Sequence, residues 1–198
     1  MIVTAIEPRR KGLSAVYIDG EFALKLDTQT LLENRFDVGR DIDDEDLRDI
    51  IALSNARRAK EKALWLISYR DHSKKELQEK IQRTCDAAAA EQAVERMEEL
   101  GLVNDERFAR QYARKLLLDK KMTRRAAMFE LTRKGIDRDT AEAALEEIDV
   151  DYRDNIRAIL DKKYRHLQDE KTKRRAVAAL QRLGYSWDDI RAVLEEYN

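Results

Sequence analysis

The chain has 198 residues, 39 basic and 40 acidic side chains, one cysteine and one proline. Such a composition belongs to long solvated helices, and it excludes a disulfide-stapled domain, a low-complexity chain and a bundle of membrane spans, since no apolar run reaches spanning length. A reducing, cytoplasmic setting is expected, because the opening Met1-Ile-Val-Thr-Ala-Ile-Glu-Pro8 lacks the basic-then-apolar order of a signal peptide.

Residues 1–56 read as a small α+β segment. Leu13 to Leu26 carries Asp19-Gly20 between apolar residues, a hairpin signal because both positions accept the positive φ of a two-residue turn. That turn sets Tyr17 opposite Phe22, Ala15 opposite Leu24 and Leu13 opposite Leu26, which makes one face apolar. Ile2 to Glu7 is expected as a third strand. Asp27 then opens a short helix through Leu31 and Leu32, Gly39 interrupts, and Asp43 or Asp44 opens another with Leu47, Ile50 and Ile51. These helices are expected to cover a hairpin that would be marginal alone.

From Ala56 onward the pattern is helical and repeats. Thr123-Arg-Arg-Ala-Ala-Met-Phe-Glu-Leu-Thr-Arg-Lys-Gly135 returns 49 positions later as Thr172-Lys-Arg-Arg-Ala-Val-Ala-Ala-Leu-Gln-Arg-Leu-Gly184. A degenerate copy starts 50 positions upstream at Ser73 and has Cys85 in the glycine's place. The hydroxyl residue heading each copy reads as a helix N-cap, and the glycine as a left-handed C′ residue. Ser73 with Glu76 reads as a capping box. Three helices in each of three units is the simplest account: repeat one over 57–103, with a first helix near 57–70, repeat two over 104–150 and repeat three over 151–198. The fold class is therefore mainly α, tandem three-helix repeats forming an elongated, curved helical body behind an N-terminal segment with a β-hairpin.

Charge obeys the same period. Residues 107–134 hold ten basic and two acidic side chains, whereas 137–151 hold one basic and seven acidic. The same contrast separates 57–83 from 86–106 and 153–183 from 186–198. First and second helices are basic and third helices acidic, so units stacked in like orientation would carry one positive and one negative stripe.

Catalytic constellations are scarce. His72 and His166 fall in connections without partners at metal-ligand spacing and read as surface residues. Cys85 has no neighbouring histidine, Glu98-Glu99 and Glu146-Glu147 read as helix solvation, and the six glycines form no phosphate loop. No enzyme, cofactor or metal site is expected. The basic clusters carry the functional signal: Lys74, Lys75, Arg110, Arg114, Lys120, Lys121, Arg124, Arg125, Lys173, Arg174 and Arg175. Those at the heads of second helices lie where backbone amides also favour an anion, so phosphate contact is one reading. A solvated face neutralised by the acidic helices is the other. Trp65, Tyr69, Phe108, Tyr112, Phe129, Tyr164, Tyr185 and Trp187 fall largely at core spacing and read as packing residues in preference to the alternative, base stacking.

Ala63-Leu-Trp-Leu-Ile-Ser-Tyr-Arg70, then Ser73-Lys-Lys-Glu-Leu77, then Gly101-Leu-Val-Asn-Asp-Glu-Arg-Phe-Ala109 and two further three-helix repeats resemble the RecX family of bacterial recombinase regulators. The likeness spans residues 57–198, and the N-terminal hairpin segment is similar to an extension some members carry. The resemblance implies a non-enzymatic modulator of RecA that binds the helical groove of the RecA filament on single-stranded DNA, bridges adjacent protomers, and restrains filament growth, ATP hydrolysis and strand exchange. It also implies contact with single-stranded DNA, direct or through RecA. A monomer without membrane association is expected. Cys85 and a longer third helix in repeat one depart from the family pattern. The competing readings are an independent DNA-binding protein built of helix-turn-helix-like units, which an acidic balance disfavours, and a helical adaptor for another protein.

Overall fold

A computed structural model of the chain describes residues 1–164 and 167–197 and divides into two compact units, Met1–Val103 and Asn104–Asn198. His166 lies outside the described residues.

Unit one begins with a three-stranded antiparallel sheet, β1 (Val3–Pro8), β2 (Leu13–Ile18) and β3 (Glu21–Asp27), in the order β1-β2-β3. Asp19 and Gly20 make the turn with φ of 50° and 87°. Tyr17 faces Phe22 as the turn requires, but the ladder then shifts, pairing Val16 with Leu24, Ser14 with Leu26 and Leu13 with Asp27. The expected Ala15–Leu24 and Leu13–Leu26 pairs are therefore absent. One extra residue in β3, a bulge at Ala23, moves every later side chain to the opposite face. That brings Leu24 and Leu26 beside Val16 in the core and leaves Phe22 outside, 54% exposed.

Asp27 caps α1 (Thr28–Glu33), its carboxylate accepting the Thr30 N–H at 2.8 Å. Asp43 opens α2 (Asp44–Tyr69) with a reciprocal capping box to Asp46. Instead of two helices separated near residue 56, α2 is a single helix of 26 residues. No glycine or proline interrupts 44–69, and the buried positions continue through it. Ile50 joins Val3, Val16, Leu26, Leu31, Phe36 and Ile42, while Ala59, Ala63 and Leu66 join the next core with Leu77, Ile81 and Met97. One rod thus serves both the sheet and repeat one.

Repeat one continues with α3 (Lys74–Ile81) and α4 (Ala87–Glu99). The Ser73 hydroxyl accepts the Glu76 N–H, and the Glu76 carboxylate takes two bonds from the Arg70 guanidinium at 2.8 and 3.0 Å. Cys85, half-buried against this core, donates its backbone N–H to Ile81. His72 is not a surface residue. It is 3% exposed, with Nδ1 2.8 Å from the Arg70 carbonyl oxygen, an arrangement in which the ring donates, and Nε2 buried without a hydrogen-bond partner among the described residues. The loop turns inward there to set Ser73 on α3, and the ring follows it.

Unit two holds α5 (Asp105–Arg114), a π-helical turn at Lys115–Asp119, α6 (Arg124–Arg133), α7 (Arg138–Glu146), α8 (Tyr152–Lys163), α9 (Glu170–Arg182) and α10 (Trp187–Leu194). Asn104, Thr123, Asp137, Asp151 and Ser186 cap α5, α6, α7, α8 and α10 with side-chain oxygens. Thr172 is not the cap of α9. Asp169 is, accepting both the N–H and the hydroxyl of Thr172 at 2.9 and 2.8 Å, and those bonds hold its carboxyl below the usual carboxylate range. Aspartate is the stronger cap and lies one turn upstream, so α9 starts earlier than its counterpart α6.

The repeated apolar pairs are all fully buried: Leu77 and Ile81, Ala127 and Leu131, Ala176 and Leu180. The mainly helical fold, with three three-helix units and an N-terminal sheet, agrees with the sequence reading.

Candidate functional site

The basic residues heading α6 sit at a junction of repeats two and three inside unit two. Lys121, at φ 54°, turns its carbonyl to accept the Tyr185 hydroxyl at 2.6 Å, and its ammonium reaches the buried Asn155 Oδ1 at 2.9 Å. The Thr123 N–H donates to the Leu183 carbonyl at 2.9 Å and the Arg124 N–H to the Tyr152 hydroxyl at 3.0 Å. The Arg124 guanidinium donates to the Ile148 carbonyl at 2.8 Å, and the Tyr152 and Tyr185 rings meet edge to face at 5.8 Å. Burial pushes the Tyr185 hydroxyl up to about 12.

These contacts revise the anion reading at two helix heads. At α6, the Arg124 amide, which would help to receive a phosphate, already donates to repeat three, and the Ala126 amide donates to the Thr123 side chain. At α9, Lys173, Arg174 and Arg175 lie in the second turn, behind the carboxylates of Asp169 and Glu170.

The remaining candidates divide into two sets. Lys74 pairs with Glu98 at 2.9 Å and Arg110 with Glu147 at 3.2 Å, each joining a basic helix to the acidic third helix of its own repeat. Arg174 approaches Glu170 at 3.9 Å. In these pairs the charge segregation is partly neutralised within the repeat. Arg114, Arg125 and Arg175 are exposed and form no ion pair among the described residues. Lys75 is exposed as well, and the Lys120 ammonium stands 6.0 Å from the Tyr112 ring centre. A shallow groove of about 310 Å³ between α6 and α7 has Arg124 and Arg125 on one wall, Glu142 and Glu146 on the other, and Met128 and Leu145 as its floor. It presents a basic edge to solvent, and none of these groups adjoins a nucleophile with a base. Among the described residues no cluster of histidine, cysteine and carboxylate side chains could hold a metal. No described helix is long and apolar enough to cross a membrane.

Sequence reasoning missed the junction residues Tyr152 and Asn155 and read Tyr185 only as a packing residue. A signal existed: Ile136 follows Gly135 in repeat two, where repeat three has a tyrosine whose hydroxyl needs a partner once buried. The aromatic residues also divide differently from the core reading. Phe108 and Tyr185 are buried, but Trp65, Tyr69, Phe129 and Trp187 are exposed by 51, 72, 67 and 51%.

Models of the first, second and third three-helix domains of RecX match residues 59–97, 104–145 and 151–194, in that order. The chain belongs to the RecX family. A regulatory protein RecX of Clostridioides difficile (strain 630) is 27% identical over 201 residues, covering 98% of this chain and 95% of its own. Another, from Caldanaerobacter subterraneus subsp. tengcongensis, is 30% identical over 154 residues, covering 75% of this chain and 76% of its own. A crystal structure of a regulatory protein RecX aligns at a TM-score of 0.60 and 18% identity over 98% of both chains, a likeness of fold. This RecX-family chain is thus a regulatory protein whose matched domains are the three helical repeats.

Proposed function

We propose that this RecX-family protein regulates homologous recombination by binding the RecA filament on single-stranded DNA and restraining its ATP hydrolysis and strand exchange, without catalysis of its own. The observation that carries the reading is the ordered match of all three RecX three-helix domains, on repeats whose first two helices are basic and third acidic. Residues 57–103, 104–150 and 151–198 act as the repeating units, with 1–56 as an N-terminal extension sharing α2. Lys75, Arg114, Lys120, Arg125, Arg174 and Arg175 are the cations exposed to a partner. Lys121 and Arg124 contribute by fixing repeat three on repeat two. The protein acts as a cytoplasmic monomer.

The test is a titration into RecA hydrolysing ATP on single-stranded DNA, beside a DNA-only binding control at the same salt. Hydrolysis should fall at substoichiometric protein while bare DNA is bound weakly. Unchanged hydrolysis by active RecA would refute the regulatory mechanism, and tight, steeply salt-dependent binding in the control would then favour an independent DNA-binding protein.

A further inference from the structure

The C-terminal half of α2 buries Ala59, Ala63 and Leu66 and turns a second stripe, Arg58, Lys62, Trp65 and Tyr69, away from that core. Their spacing of i, i+4, i+7 and i+11 sets them in one row along the helix. The Trp65 and Tyr69 rings stand edge to face at 4.8 Å, and the Lys62 ammonium lies 4.1 Å from the Trp65 ring centre. Arg58 is steadied by a 3.0 Å bond to the Thr84 carbonyl, beside the exposed Arg83.

The repeat architecture does not require this row. Fifty positions on, the buried Ala59, Ala63 and Leu66 are matched by the buried Ala109, Ala113 and Leu116. Trp65 and Tyr69 are replaced there by Lys115 and Asp119. The helix would therefore pack equally well without the rings, which expose apolar surface to water at a cost in stability. Glu61, on the same helix, pairs with Arg57 at 3.3 Å, and Asp86 is occupied as the cap of α4. The cations of the row are left to act outward.

We propose that the row Arg58, Lys62, Trp65 and Tyr69 is a base-stacking site for single-stranded nucleic acid, the rings taking bases and the two cations the flanking phosphates. Exposed rings interleaved with cations favour this ligand: every base has a face to stack, and the phosphates supply the opposite charge. The site deepens the functional reading above, which places a single strand within the bound filament, but it can be tested without RecA.

The experiment measures, at low salt, the anisotropy of labelled oligothymidylate and of an abasic strand of equal length with the full chain. Variants are Trp65→Ala, Trp65→Phe, Tyr69→Ala and Lys62→Ala, with thermal melts to confirm folding. Trp65→Ala should weaken oligothymidylate binding about 10-fold, Trp65→Phe should retain most of it, and abasic binding should be weaker in the parent and indifferent to Trp65. Quenching of Trp65 fluorescence by oligothymidylate, read in a Trp187→Phe background, should accompany binding. Equal loss of both strands, or no loss of either, overturns the stacking site. Loss of RecA inhibition by Trp65→Ala with oligonucleotide binding intact also overturns it and makes the row a protein-docking surface. Failure of the parent protein to inhibit RecA bears on the regulatory reading alone.

Discussion

Gly184 lies against Thr123 so closely that a Cβ on it would overlap the threonine hydroxyl and come within 2.8 Å of the Ala126 Cβ, and its φ is +97°. The last turn of α9 is thereby pressed onto the cap of α6, and the Leu183 carbonyl meets the Thr123 N–H only because nothing intervenes. Gly184→Ala should destabilise unit two by about 2–4 kcal/mol, combining left-handed strain with the overlap. Gly101→Ala, at φ +68° with open space around the new carbon, should cost roughly 1–2 kcal/mol. Urea denaturation of both variants checks the difference, and equal losses would show that close approach contributes nothing.

Tyr185 ties repeat three to the carbonyl of Lys121, and its hydroxyl ionises near 12 because it is buried. A folded pKa above the unfolded value of about 10 gives stability that is complete below pH 10 and lost as pH climbs toward 12. Thermal melts of the parent should therefore fall over that window. Tyr185→Phe should start about 1 kcal/mol lower at neutral pH and fall less steeply. Parallel slopes in the two proteins would assign the alkaline loss elsewhere.

His72 titrates in the opposite sense. Burial, with the neighbouring Arg70 charge, pushes its pKa below the ordinary value, so the folded protein holds the ring neutral. The unfolded chain takes up the proton first, and stability is complete above about pH 6.5 and falls as the solution is acidified. Replacing His72 by Gln should flatten the acid limb of the stability curve between pH 7 and pH 5, as measured by urea midpoints. An unchanged limb would mean that the ring accepts its proton without cost.

Arg124 and Arg125 are adjacent yet have different roles. The first holds the Ile148 carbonyl, whereas the second has no ion-pair partner among the described residues. Arg124→Ala should lower stability by about 1–2 kcal/mol. Arg125→Glu should leave the melting temperature within a degree or so while reducing inhibition of RecA, more so when combined with Arg175→Glu. Melting curves and RecA ATPase assays on the same preparations separate the two effects. Full inhibition by the double charge reversal would remove these cations from the interface.

Much of this fold was legible because its signals act within one helical turn. Ser73, Thr123, Asp137, Asp151 and Ser186 each cap a helix by a bond to an amide three residues on, so the sequence neighbourhood contains both partners. The apolar pairs of the second helices share one face by helical spacing alone. The repeat period and its charge alternation followed from the same local arithmetic, whereas the RecX likeness rested on the motifs at 63–70, 73–77 and 101–109 and their order. The candidate interface was less legible, since a cation's spacing does not say whether a side chain from another repeat will meet it, as Asn155 meets Lys121.

Sequence by itself determined the approximate bounds of most helices, the Asp19-Gly20 turn, the three-helix repeat and the alternation of charge, because each rests on contacts between residues a few positions apart. Tertiary structure alone decided the bulge at Ala23, the burial of His72, the exposure of Trp65, Tyr69 and Phe129, and the engagement of Lys121 and Arg124 by repeat three. Lys121 and Arg124 show the reason: their partners Asn155, Tyr185 and Tyr152 lie 28 to 64 positions away, and periodicity does not record them.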